Sequence, residues 1–301
     1  MRPACGRKAR TKMTVPLVSI ILPTYNRAAR LTGALESCLS QTYPHIEVIV
    51  VDDGSTDETP AIAARFAGQD ARVRVLHQPN ERLPRALNAG FRASRGDYLT
   101  WTSDDNSYLP DAITLMAAAL DARPDLGLVY CDYEEVSDSG EARRVHLPDP
   151  ALLPQQNCVG ACFLYRRTVY ETVGEYDTAL FLAEDYDYWL RINRRFLMHH
   201  LPGVCPYRYG SHPDSLTARR QGEVQIAAVR ARLKNAPSEW QRLRTFLATR
   251  GIVAEATLNA GRPSRAAALA LCYALCRPWK SYGWSLLGRC LRVRIGGHSR
   301  R

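Results

Sequence analysis

Residues 98–106 read Tyr-Leu-Thr-Trp-Thr-Ser-Asp-Asp-Asn (YLTWTSDDN), an apolar, aromatic run that stops on two adjacent carboxylates, Asp104 and Asp105. The run has the length of a buried strand, and Pro110 prevents anything regular from continuing far past it. A strand that ends in acids calls for a cation. Mg²⁺ or Mn²⁺ is commonly held by one or two carboxylates, with phosphate oxygens and water completing the shell. The same two acids also fit a solvated turn with a helix cap near Ser107 or Asp111, and the flanking chain decides between these readings.

Working outward, residues 17–22 (LVSIIL), 46–51 (IEVIVV) and 73–77 form further apolar runs of strand length. Helical patterns over 28–41, 58–66 and 83–94 separate them. This alternation predicts an α/β fold with a doubly wound, mostly parallel sheet flanked by helices, whose ligand lies at the carboxyl ends of the strands. The polar clusters fall there: Thr24-Tyr25-Asn26 after the first strand, Asp52-Asp53 after the second, Asp104-Asp105 after the fourth. The first strand leads into Pro23 without a GxGxxG, which argues against a dinucleotide-dependent oxidoreductase.

The 301 residues are 46% apolar and 23% charged, ordinary values for a globular chain with one large α/β domain and an appendage. Nine cysteines without a CxxC or a histidine-pair spacing read as reduced, mostly buried thiols of a cytoplasmic protein. The net charge of +10 is unevenly placed. Residues 1–14 carry five Lys or Arg and no acid, and residues 222–301 carry fifteen against three acids, which leaves the middle acidic. The expected organisation is therefore a disordered basic tail over 1–14, a folded α/β domain over 15–221 and a basic helical extension over 222–301. The basic ends suit an anionic membrane surface better than nucleic acid, and no nucleic-acid partner is expected; they equally suit plain solubility.

The segments VSIILPTYNR (18–27), VDDGSTD (51–57), LNAGFRASRGDY (87–98), TSDDN (102–106) and AEDYDYWLR (183–191) together resemble the family 2 glycosyltransferases, inverting enzymes of the GT-A fold. The resemblance covers about residues 16–220. It implies transfer of a sugar from a nucleoside-diphosphate sugar, with uridine the expected base, to a hydroxyl on a glycan, a lipid-linked or a small-molecule acceptor, as in cell-envelope glycan synthesis. It places the donor nucleotide on Pro23, Thr24, Tyr25, Asn26, Asp52, Asp53, Arg85, Asn88, Ser103 and Asp104. One of Asp52 and Asp53 is also expected to close the turn with Gly54. The family's metal motif is usually written Asp-x-Asp. Thr102 stands at its first acid here, so the divalent cation falls to Asp104, Asp105 and His212.

The same resemblance makes Asp185 the base that deprotonates the acceptor, with Glu184 shaping the pocket beside it. Acids in the first turn of a helix also answer its dipole, and that alternative stays open. Trp189, Arg191 and Gly160 are the expected acceptor contacts, and Arg208 a phosphate contact in a loop hinged at Gly210. Beyond 222, breaks at Pro237, Gly251, Gly261 and Pro263 suggest three basic helices. Residues 264–276 are too short to span a bilayer, which needs roughly 20 residues. With Arg277, Trp279, Lys280, Tyr282 and Trp284 they suit either a peripheral contact with the cytoplasmic leaflet or a helical cap. The rival from another class is a catalytically inactive, GT-A-like module that binds glycan or nucleic acid.

Overall fold

Runs rich in valine and isoleucine become strands covered on both faces, as a parallel sheet requires. The first half of the chain runs β1 (Val18–Thr24), α1 (Ala28–Leu39), β2 (Ile46–Asp52), α2 (Thr59–Gln69), β3 (Val73–His77), α3 (Leu83–Ala93) and β4 (Tyr98–Trp101). Every residue of β1 and β2 is buried. The computed structural model describes residues 15–276, 285–287 and 289–291. The expected tail over 1–14 and the cluster Arg277, Trp279, Lys280, Tyr282 and Trp284 lie outside them.

After the acidic turn come β5 (Ser107–Tyr108), α4 (Ala112–Ala122), β6 (Leu126–Cys131), β7 (Tyr133–Ser137), β8 (Ala142–Val145), β9 (Phe163–Arg166) and α5 (Arg167–Val173). They are followed by α6 (Glu184–Ile192), β10 (Leu197–Leu201), β11 (Tyr207–Ser211), α7 (Leu216–Arg219), α8 (Gln221–Lys234), α9 (Glu239–Asn259) and α10 (Pro263–Cys276). The main sheet has seven strands in the order β10-β6-β9-β4-β1-β2-β3, parallel except for β9. A second sheet, β5-β11-β7-β8, includes the hairpin that turns at Gly140, where φ is +83°.

Alternation along β1 sends Ile20 and Leu22 to one face and Ile21 to the other. The first face packs on α1, α2 and α4, the second on α3, α5 and α6. Ala227 and Ala231 of α8 belong to that second core, so the start of the basic extension is built into the body that carries α6. Gly251 lies inside α9 and does not divide it; the described breaks fall at 235–238 and 260–262. Among the described residues no helix is long and apolar enough to cross a membrane, and Cys38, Cys131, Cys158, Cys162, Cys205 and Cys290 are free thiols.

The register fixes the functional edge. β1 pairs in parallel with β2 so that Thr24 sits beside Asp52, and the Asp53 N–H donates to the Thr24 carbonyl at 2.9 Å. On the other side of β1, Thr102 N–H donates to the Ile21 carbonyl at 3.0 Å. Three polar strand ends therefore lie side by side. Close seating of α3 on this edge depends on Gly90, where an added Cβ would collide with Ile21 and stand 3.1 Å from Val51 Cγ2. Alanine gains about 1 kcal/mol over glycine inside a helix, whereas overpacking a core costs about 1–3 kcal/mol. Gly90→Ala should therefore destabilise the fold, read as a lower denaturant midpoint with an unchanged slope; a raised midpoint would show that α3 shifts freely on the sheet.

Candidate active site

The three strand ends open into a cavity of about 340 Å³ lined by Pro23, Thr24, Tyr25, Arg27, Asp53, Asn80, Arg82, Leu83, Ala86, Ser103, Asp104, Asp105, Phe181 and Leu216. That volume lies in the range of small-ligand clefts. Tyr25 is exposed at its rim, free to stack on a flat ring. Asp53 is buried and accepts from Gln78 Nε2 at 2.7 Å and from the N–H groups of Glu81 and Arg82 at 2.9 Å each. Asp52 faces away and closes the turn: its carboxylate accepts from Ser55 N–H at 3.0 Å and meets His77 Nδ1 at 3.0 Å. Asn26 likewise spends its side chain on Thr56 N–H, at 2.8 Å.

Asp104 is buried, with Arg27 Nε 3.7 Å from its Oδ1. Burial pushes its carboxyl up to about 7, and the charge of Asp105 adds to the rise while Arg27 opposes it. Asp105 Oδ2 lies 3.0 Å from His212 Nε2, and the other ring nitrogen of His212 is buried without a partner. β11 comes up against this turn: Gly210 N–H donates to Asn106 Oδ1 at 2.9 Å, and a Cβ there would strike the Asp105 carbonyl. Gly210 is thus a point of close approach inside a strand, not the expected hinge. Arg208 lies 3.7 Å from Glu134.

No three His, Cys, Asp or Glu side chains converge on a common point among the described residues. The donors present are two adjacent carboxylates lining the cavity, Asp105 and the buried Asp104. That set fits a hard divalent cation shared with phosphate oxygens and does not fit an all-protein cage.

Glu184 and Asp185 open α6. Glu184 is buried and its Oε2 has no partner, while half-buried Asp185 accepts from Asn157 Nδ2 at 3.1 Å and from Tyr186 N–H at 2.7 Å. Burial raises both carboxyls above the ordinary range, and the charge of Asp185 lifts Glu184 further. Neither acid is among the residues that line the cavity, whose wall they approach through Phe181 three residues before Glu184.

Several expected contacts lie elsewhere. Trp189 is completely buried, edge-on to Phe163 with ring centres 4.6 Å apart, and cannot present a face to a sugar. Arg191 is bound to Asp187 at 2.8 Å and to the carbonyls of Val173 and Glu175, so it is a strut and not an acceptor contact. Asn88 is buried and exchanges two hydrogen bonds of 2.9 Å with the Tyr176 backbone. Arg85 is outside the cavity, 3.8 Å from Glu81. Around Gly160 a Cβ would press at 2.9 Å on Leu147 and Tyr133, a packing requirement.

Sequence reasoning missed Arg27, Arg82, Asn80 and Phe181. The structure marks their neighbourhood by non-glycine residues at positive φ, a feature the sequence does not display. Asn26 (φ +52°), Arg82 (+73°) and Leu182 (+76°) are the three such residues among those described, and each is at or next to the cavity wall. Such conformations cost on the order of 1–3 kcal/mol each and persist where the surroundings over-determine them. Asp53 supplies that restraint at Arg82, whose guanidinium carbon stands 5.4 Å over the Phe181 ring.

Residues 19–174 match the profile of Glycosyl transferase family 2. The chain belongs to this family. This family 2 chain is 33% identical over 191 residues to an uncharacterized glycosyltransferase of Rickettsia prowazekii, covering 60% of its own length and 59% of the relative. It is 33% identical over 220 residues to the uncharacterized glycosyltransferase EpsJ of Bacillus subtilis, covering 67% and 63%. Among solved structures, Staphylococcus aureus TarS 1–349 in complex with UDP aligns with a TM-score of 0.62 at 17% identity, over 93% of this chain and 92% of that one. The mannosyltransferase PcManGT of Pyrobaculum calidifontis, in complex with GDP-Man and Mn²⁺, gives 0.61 at 21%, over 93% and 86%. At these identities the likeness establishes the GT-A fold. The matched span ends before Glu184.

A carboxyl raised in the folded chain keeps its proton after the unfolded chain has ionised, so stability falls as pH climbs from the ordinary carboxylate range to the raised value. Glu184→Gln removes that loss. Its melting temperature should exceed that of the wild type at about pH 8 and match it at about pH 4; an equal gap at both would refer the effect to packing.

Proposed function

We propose that this family 2 chain transfers a sugar from a nucleoside-diphosphate sugar to an acceptor hydroxyl with inversion, Asp185 serving as base. The observation that carries this is the cavity that joins the Asp104–Asp105 turn to Arg27 and Arg82 beneath an exposed tyrosine ring. Tyr25 stacks on the base, Asp53 and Arg82 line its edge, and Arg27 faces the diphosphate. Asp104 and Asp105 would hold Mg²⁺ or Mn²⁺, which supplies charge neutralisation to the departing diphosphate. Asp185, with its proton affinity raised by burial, takes the acceptor proton, and Asn157 fixes the direction in which it does so. Glu184, protonated beside it, shapes the acceptor pocket without adding a second charge. TarS is described with UDP and UDP-GlcNAc and PcManGT with GDP-Man and Mn²⁺, which supports a nucleotide-sugar donor and a divalent cation.

Thermal shift with UDP, GDP and dTDP, each with and without Mn²⁺, tests this reading. A ligand at about 100 times its Kd adds roughly 2.7 kcal/mol. One diphosphate should stabilise the wild type in the presence of metal, and Asp104→Ala should lose that response. Asp185→Asn should keep it and lose transfer. Indifference of the wild type to all three would overturn the reading.

The site would work at the cytoplasmic face of a membrane, where exposed Phe246 and Ile252 of α9 on a basic extension meet anionic lipid. Phe246→Ser with Ile252→Ser should reduce co-sedimentation with anionic vesicles; unchanged co-sedimentation would assign these side chains to ordinary surface.

A further inference from the structure

Residues 177–187 carry Phe181 of the cavity wall, the strained Leu182 and the Glu184–Asp185 pair, and both ends of this segment meet one side chain that lies outside the cavity. Lys234, the last residue of α8, places Nζ 2.7 Å from Asp177 Oδ2 and 2.9 Å from Asp187 Oδ1. Asp177 also accepts from Ala179 N–H at 2.8 Å and so caps the short turn that leads into Phe181. Asp187 is completely buried and accepts in addition from Arg191 Nε at 2.8 Å and Asn235 Nδ2 at 2.7 Å. One ammonium group therefore fastens the entry and the exit of the segment to the end of a helix that is itself part of the core.

A leucine at φ +76° relaxes unless its surroundings hold it. Hydrogen bonds within the segment do not reach across it; the lysine does. We infer that Lys234 is a positioning residue for transfer, a clasp that keeps the Phe181–Asp185 stretch in the conformation that holds Asp185 close behind the cavity wall formed by Phe181. The inference rests on the reading of Asp185 as base. Lys234 lines no part of the cavity and is 43% exposed, and its partner Asp177 is also partly open to solvent. With Lys234 removed, Asp187 still has Arg191 and Asn235, and no buried charge is left bare. Folding and catalysis should respond to its loss very differently.

The test compares the full chain with Lys234→Met, Lys234→Arg and Asp185→Asn. The readouts are melting temperature, stabilisation by the nucleoside diphosphate with Mn²⁺ that the wild type prefers, and release of that diphosphate from the corresponding nucleotide sugar. Lys234→Met should melt within a few degrees of the wild type and bind the diphosphate within about threefold. Its turnover should fall about 10- to 100-fold, the cost of a reacting group displaced by around an ångström. Lys234→Arg, which still bridges two carboxylates, should recover most of that loss. Wild-type turnover in Lys234→Met, a loss matched by equally weakened diphosphate binding, or a Lys234→Arg no better than Lys234→Met would overturn the inference. Asp185→Asn releasing diphosphate at the wild-type rate would instead overturn the base assignment, and the clasp with it.

Discussion

Keeping acids charged next to an apolar sheet is the constraint from which the rest of this structure follows. A strand covered on both faces delivers its end groups to the sheet edge with little water around them, so each carboxylate there must find donors or hold its proton. Asp53 finds them in two backbone N–H groups and the Gln78 amide, and Asp52 in Ser55 and His77. Asp104 faces Arg27 at 3.7 Å, Glu184 leaves Oε2 without a partner, and burial pushes both carboxyls up. The well-donated acids shape the loops, and of the other two Asp104 lines the cavity.

The strain has the same address. Positive φ at Arg82 is held by the N–H bonds to Asp53, and at Asn26 by the bonds that its N–H and side chain make with Ser55 and Thr56. Asn26 sits in the loop after β1 and Arg82 in the loop after β3, and both strands pair in parallel with β2, which lies between them. The stiffness of the sheet is thereby passed to two loops with no regular structure of their own. Phe181 joins them to the second half of the chain, with the Arg82 and Arg220 guanidinium carbons each 5.4 Å from its ring.

The doubly wound sheet and its loaded edge were legible from residues 17–106 because buried parallel strands are written as unbroken apolar runs and the acids stand directly after them. What faces the cavity was only half legible. Trp189 looks like a sugar platform in a one-dimensional pattern, yet α6 is buried nearly all round, with the acids Glu184 and Asp187 enclosed along with the aromatics, so its polar pattern does not mark an open face. Arg85 and Arg82 stand three apart in sequence, and which of them enters the cavity depends on the backbone conformation at the start of α3, which composition does not reveal. The division of the chain at 222 followed its charge, whereas α8 follows its small apolar residues into the core.

Adjacent acids occur three times at this site, as Asp52-Asp53, Asp104-Asp105 and Glu184-Asp185, and the backbone explains why the members of a pair differ. At a strand end, neighbouring side chains project to opposite faces, and at a helix start they diverge by about a quarter turn. One member of each pair can be claimed by a neighbouring loop while the other turns elsewhere. Asp52 goes to the β2 turn, Asp105 to His212 and Asp185 to Asn157. Their partners Asp53, Asp104 and Glu184 are each at least 93% out of solvent, and of these Asp53 alone is fully engaged by backbone donors. In the second and third doublets the member held by a neighbouring side chain, Asp105 or Asp185, stands beside a more deeply buried acid, whereas in the first both acids are buried and engaged.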